Sequence, residues 1–211
     1  MTPARRTGTG VLLVASALLS ILGYAILAPA FDWPAVLDEP GVTALDKYVD
    51  AEVAVRAGFY VMALSSLVLI PAAFGLHAAL SRDRAAARAV TAFGVLAAFA
   101  QMLGWLRWVI AVPVQADAWV AARGDETART AVATAYDTLN AYAGGTLGEH
   151  LGWLLQGIWA VGVFVLALRA TGVPRWLSVP GVVLSAVWAV LVPVATAVGD
   201  DTLETIGLNV Y

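Results

Sequence analysis

The stretch AGFYVMALSSLVLIPAAFGLHAAL, residues 57–80, contains no Asp, Glu, Lys or Arg. It exceeds the roughly 20 apolar residues that a helix needs to cross the hydrocarbon core of a bilayer. Residues 11–30, 90–112, 147–168 and 176–198 meet the same length, with Arg107 inside the third of the five. Backbone groups in lipid must find partners within their own segment, so these crossings are expected to be helices. The fold class that follows is all-α, a polytopic transmembrane bundle of five spanning helices forming one integral-membrane domain. Longer connections are expected at 31–56 and 113–146.

Composition agrees, with 61% apolar and 13% charged residues against roughly 25% charged in a soluble domain. The absence of cysteine removes disulfides, thiol catalysis and thiolate metal sites together. His77 and His150 fall on different helices with no H-x-x-x-H or H-E-x-x-H pair, so no zinc constellation is expected. Walker loops, G-x-S-x-G elbows and dinucleotide fingerprints are also missing, and no cofactor is expected.

Charge sets the topology. Arg5, Arg6, Arg82, Arg84, Arg88, Arg169 and Arg175 lie on one side of the crossings, and Lys47, Arg56, Arg123 and Arg129 on the other. The positive-inside rule makes the first side, and the N-terminus, cytoplasmic. The opposite connections hold Asp32, Asp38, Glu39, Asp46, Asp50, Glu52, Asp117, Asp125, Glu126 and Asp137, followed by Asp200, Asp201 and Glu204. The net charge of -3 therefore conceals an acidic exterior. A nucleic-acid partner would need a basic face, and the short juxtamembrane clusters suit an anionic leaflet instead.

Arg5 and Arg6, an apolar run and Ala28-Pro29-Ala30 also resemble a cleavable secretory signal. The run is longer than the usual apolar region of about 7 to 15 residues, which favours retention as a helix.

The first outer connection opens with Asp-Trp-Pro and Glu-Pro-Gly turn signals and becomes helix-compatible from Thr43, a possible cap. In the second, residues 125–142 lack proline and glycine and place Val132, Tyr136, Leu139 and Tyr142 at helical spacing, which predicts a short amphipathic helix on the outer interface. Trp33, Trp105, Trp108 and Trp119 fall at the same boundary, where an aromatic belt accounts for them.

The fourth crossing carries the most specific signal, Gly144-Gly145-Thr146-Leu147-Gly148-Glu149-His150-Leu151-Gly152-Trp153, continuing to Gln156. Gly144, Gly148 and Gly152 recur every four residues and form a groove for a helix partner. Gly145, Glu149, Gly152 and Gln156 share a neighbouring face, whose polar groups are expected to point into the bundle or a wet cavity. Arg107 falls at about the depth of Glu149 and His150. A ligand-binding cluster is therefore expected from Arg107, Glu149, His150 and Gln156, with Arg56 and Tyr60 above the second crossing. The alternatives are a packing salt bridge or snorkelling for Arg107, and acid-base catalysis by Glu149 or His150. A desolvated carboxyl beside a histidine suits proton transfer, although the nearby arginine favours the carboxylate. Gln101 is expected to bond to another helix, and His77 to reach the headgroups.

Gly104-Trp105-Leu106-Arg107-Trp108-Val109 with Pro113, then Gly148-Glu149-His150-Leu151-Gly152, then Val173-Pro174-Arg175-Trp176-Leu177 resemble the bacterial membrane proteins grouped as domain of unknown function 4386. The resemblance runs from about residue 57 onward and implies a small polytopic fold with no assigned reaction. It also implies a further helix after Thr205-Ile206-Gly207-Leu208, which leaves five or six crossings open. Eleven arginines against one lysine suggest a GC-rich bacterial genome, and hence a plasma-membrane location.

Three classes of function fit these residues. The first is binding or movement of a small amphipathic or ionic ligand, a small molecule or a lipid, through an outer-leaflet polar pocket. The second is an enzyme using Glu149 and His150 on a lipid-soluble substrate, and the third an accessory subunit docked through the glycine groove. Paired half-helices or an internal repeat, usual in transporters, are not visible.

Overall fold

The computed structural model describes residues 3–80, 84–170 and 173–198. Arg82, Asp200, Asp201, Glu204 and the segment 205–208 lie outside them. The helices are α1 (Pro3–Phe31), α2 (Gly41–Leu80), α3 (Arg84–Ala121), α4 (Glu126–Leu139), α5 (Gly152–Arg169) and α6 (Arg175–Val198). A π-helical stretch, Asn140–Leu151, joins α4 to α5 without a break. There is no strand among the described residues, and five helical runs are long and apolar enough to span a membrane.

Two helices greatly exceed the crossings expected from hydropathy. With 40 and 38 residues, α2 and α3 are about 60 and 57 Å long, against about 30 Å of hydrocarbon. A hydropathy window finds only the lipid-compatible part, whereas a helix continues while its hydrogen-bond ladder and an apolar stripe persist. Pro113 lies within α3, because a proline deprives one carbonyl of its partner without stopping the chain. Ala51, with φ -125° and ψ 20°, marks a kink in α2, beyond which the segment from Gly41 continues as helix.

The expected loops are accordingly short. Thr43 does not start α2; the helix begins at Gly41, where Pro40 O accepts from the amides of Thr43 and Ala44. Lys47 pairs with Asp32 at 3.2 Å and Glu39 at 3.1 Å, folding the α1–α2 connection onto α2. Between α3 and α4, Gly124 takes a positive φ of 87°, which glycine adopts without a Cβ penalty. Asp125 then caps α4, its side chain accepting from Ala128 N at 3.0 Å.

The largest core lies at one end of the bundle, where α4 and the extended parts of α2 and α3 meet. Phe31, Tyr48, Phe59, Trp108, Trp119 and Tyr136 are buried there. Phe59 and Trp108 stack at 4.9 Å, Phe31 meets Trp108 edge-on at 5.0 Å, and the Tyr48 hydroxyl donates to Trp108 O at 3.0 Å. Trp108 and Trp119 are thus core residues, in place of the belt the sequence suggests. Their indoles are enclosed because α4 covers them: Trp108 meets Tyr136 at 6.0 Å, and Arg129 lies 3.8 Å over Trp119. Offset and edge-to-face pairs of this kind contribute about 0.5 to 1.5 kcal/mol each beyond burial.

Small residues set the helix contacts elsewhere. A side chain at Gly23 on α1 would collide with Met62 on α2, and one at Gly58 with Leu27. Gly157 and Gly181 likewise bring α5 and α6 together, against Ala189 and Phe164. The two flanking helices pack principally on one neighbour each, α1 on α2 and α6 on α5.

Candidate functional site

The glycine spacing of the fourth crossing does form a groove, and its occupant is α3 of the same chain. The groove meets Arg107 at Gly144, the backbone of Gly104 at Gly148, and Gln101 at Gly152. A Cβ on Gly104 would stand 2.7 Å from Gly148 Cα, so both positions need glycine for the backbones to approach this closely. Gly145 faces open space.

The backbone of this wall is π-helical. Thr146 Oγ1 donates to Ala141 O, five residues back, and the amide of Gly152 reaches both Leu147 O and Glu149 O. π-Helical turns are rare and frequently occur at functional sites.

Arg107 is the central side chain and is only 6% exposed. Its Nη1 donates to Gly104 O at 2.8 Å and its Nη2 to Asn140 Oδ1 at 2.9 Å. The guanidinium carbon lies 5.0 Å from the centre of the Trp108 ring. Glu149, half-buried on the π-helical wall, and Tyr136 both interact electrostatically with Arg107. Within this cluster Arg107 Nε, Trp108 Nε1 and the Tyr136 hydroxyl are buried without a hydrogen-bond partner. Buried polar groups are nearly always satisfied, so three such atoms on neighbouring side chains are unusual.

The remaining expected residues are distributed along the bundle. Gln156 Oε1 accepts from Gln101 Nε2, and Gln101 lies six residues, or about 9 Å of helical rise, before Arg107 on α3. His150 is half-buried on the π-helical stretch. Arg56 pairs with Glu52 at 3.0 Å on an exposed face of α2, and Tyr60 is also exposed. Both stand apart from the inward face of Val55 and Phe59. Sequence reasoning did not single out Asn140 or assign Tyr136 to the cluster. The signal was the four-residue spacing of Tyr136, Asn140 and Gly144, which continues the stripe of α4 into the glycine groove.

At the opposite end, His77 does more than approach headgroups. It is half-buried, and its Nδ1 lies 3.1 Å from Thr91 Oγ1 on α3. A small cavity there is lined by α2, α3 and α5.

One family model matches the chain over residues 9–210, with the description domain of unknown function (DUF4386). No curated protein matches, and no solved structure does.

Proposed function

The chain belongs to the DUF4386 family, whose description names no reaction, and we propose from its own geometry that it binds a small amphipathic or ionic ligand in a membrane, at Arg107. The observation that carries this reading is the trio of unpaired buried atoms on Arg107, Trp108 and Tyr136, around a guanidinium already inside the bundle. An arginine within a membrane segment is costly unless it is paired or functional, at about 2.5 to 3.5 kcal/mol at a helix centre. Arg107 Nε–H and the indole N–H of Trp108 are donors only, and the Tyr136 hydroxyl can donate. A ligand presenting oxygen acceptors would complement all three. Glu149 balances the charge of the site, and the π-helical wall can readjust where regular α-helix would be fixed.

The division of basic residues supports an orientation with the Arg107 end facing outward, and the arginine-rich, lysine-poor composition supports a bacterial plasma-membrane location. A second reading, that Arg107 is a structural clamp, is favoured by the bonds its two terminal nitrogens already make to Gly104 and Asn140.

The test is thermal unfolding of the purified chain in detergent against a panel of anionic and zwitterionic amphiphiles, for wild type, Glu149→Gln and Tyr136→Phe. A compound that stabilises wild type and loses its effect in the variants supports binding. If no compound shifts wild type, and Glu149→Gln simply melts earlier, the clamp reading holds.

A further inference from the structure

Trp108 Nε1 and the Tyr136 hydroxyl, two of the three polar atoms at the Arg107 site without a partner, are enclosed by protein. A ligand reaches them only when an enclosing element moves. Residues 41–50 of α2 touch both side chains: a Cβ on Gly41 would stand 3.0 Å from Cδ1 of Tyr136, and the Tyr48 ring stacks on Trp108 at 6.3 Å while its hydroxyl donates to Trp108 O. Gly41, Ala44, Leu45 and Tyr48 make up the buried face of this segment, and Val42, Asp46 and Asp50 its exposed one.

The segment is bounded by non-helical backbone on both sides. Ala51, at φ -125° and ψ 20°, departs from the helical values of about -63° and -42°, so residues 41–50 and the membrane span are two helices meeting at a kink. At the other end Glu39 is extended, at φ -84° and ψ 149°. Such residues at the ends of an element can absorb a change of direction while the helix between them stays intact. Asp46 ties the exposed face to the other helices: its Oδ1 accepts from Trp119 Nε1 on α3 at 2.7 Å and lies 3.5 Å from Arg129 Nη2 on α4.

We propose that residues 41–50 are a lid over the Arg107 site, hinged at Glu39 and Ala51 and held shut by Asp46, and that its opening admits the ligand. The lid's function rests on the reading of Arg107 as a ligand site, whereas its motion does not. Swinging outward withdraws Gly41 from Tyr136 and Tyr48 from Trp108 together, which presents the hydroxyl and the indole N–H to incoming oxygen acceptors. The buried side chains that leave the core are those of Ala44, Leu45 and Tyr48, so opening is a local event well short of unfolding.

The test is hydrogen exchange, followed by NMR of the full chain in micelles with uniform nitrogen labelling and no ligand present. Trp108 Nε1–H is assigned by its loss in Trp108→Phe, and Trp159 Nε1–H, buried at the His77 end, serves as the control. Asp46→Ala is expected to speed exchange of Trp108 Nε1–H and of the amides of residues 44–50 by a common factor of about five to ten, the equivalent of one hydrogen bond, and to leave Trp159 Nε1–H unchanged. The chain has no cysteine, so Asp46→Cys and Arg129→Cys can be joined uniquely by a bismaleimide. That link is expected to slow Trp108 Nε1–H below its wild-type rate. The proposal is overturned if the link leaves Trp108 Nε1–H at its wild-type rate, or if Asp46→Ala speeds Trp159 Nε1–H equally, which would mean opening of the whole bundle. A lid that behaves as expected in a chain that no amphiphile stabilises leaves the motion standing and removes the ligand reading of Arg107.

Discussion

The guanidinium of Arg107 lies directly over Gly144, so close that a Cβ at residue 144 would stand 2.4 Å from Nη2. Gly145, its neighbour, faces nothing within 4 Å. Gly144→Ala should therefore displace the guanidinium and cost about 1 to 3 kcal/mol, the usual range for overpacking. Gly145→Ala should be neutral or stabilise by up to about 1 kcal/mol through lower backbone entropy in the unfolded chain. Thermal unfolding of the two variants in one detergent checks both, and equal melting temperatures would refute the contrast.

Asn140 supplies the side-chain acceptor for Arg107 Nη2. Asn140→Ala removes it and should cost about 1.5 to 3 kcal/mol, as for hydrogen bonds to charged groups. Asn140→Asp retains an oxygen there and should unfold at a higher temperature than Asn140→Ala. Arg107→Lys should not preserve the site, since one ammonium cannot reproduce the planar fork that reaches both Gly104 O and Asn140 Oδ1.

Tyr136→Phe deletes a buried hydroxyl that has no partner and leaves the ring against Trp108. Without ligand, this variant should be as stable as wild type or slightly more so, because it loses a desolvation cost rather than a bond. A fall of more than about 1 kcal/mol in unfolding free energy would mean that the hydroxyl is satisfied in the folded protein.

Trp119 joins three helices: its Nε1 donates to Asp46 Oδ1 at 2.7 Å, and Arg129 covers its ring at 3.8 Å. Trp119→Ala should be the severest of these changes, at about 3 to 5 kcal/mol, because it empties a buried site. Arg129→Ala should cost only about 0.5 to 1 kcal/mol, as expected of a partly exposed cation over a ring. A double-mutant cycle over Arg129 and Trp119 isolates that coupling, which should be smaller than the cost of losing the indole.

Hydropathy made the five crossings legible because bilayer thickness imposes a length that few soluble segments reach. It did not reveal how far α3 extends, since a residue such as Asp117 is incompatible with lipid yet compatible with a helix; for α2 the turn and cap signals, rather than hydropathy, brought the expected start to Thr43, two residues from Gly41. The aromatic core was hidden for a related reason. A tryptophan near a membrane boundary reads the same whether it meets headgroups or, like Trp108, another helix.

The candidate site was legible in part. Glycines at every fourth position indicated the groove, and the depth of Arg107 placed it near that wall. Asn140 falls inside the amphipathic helix expected over 125–142, but escaped notice because that reading followed only the apolar spacing of Val132, Tyr136, Leu139 and Tyr142. The π-helical path was also hidden: a four-residue glycine spacing reads as α-helix and carries no signature of hydrogen bonding across five residues. Arg56 and Tyr60 fall above the second crossing, but the face they occupy depends on the helical phase around Val55 and Phe59.

The packing of α1 principally on α2, and of α6 principally on α5, leaves most of both helices free to face acyl chains. For these two segments lipid is the larger part of the surroundings, so membrane thickness is one of the conditions of their folding. A mismatch between apolar length and hydrocarbon thickness is relieved by tilting, at a fraction of a kcal/mol per Å. That adjustment is easiest at the two flanks and hardest at the interlocked aromatic centre, so acyl-chain length should move the periphery of the molecule before it disturbs Arg107.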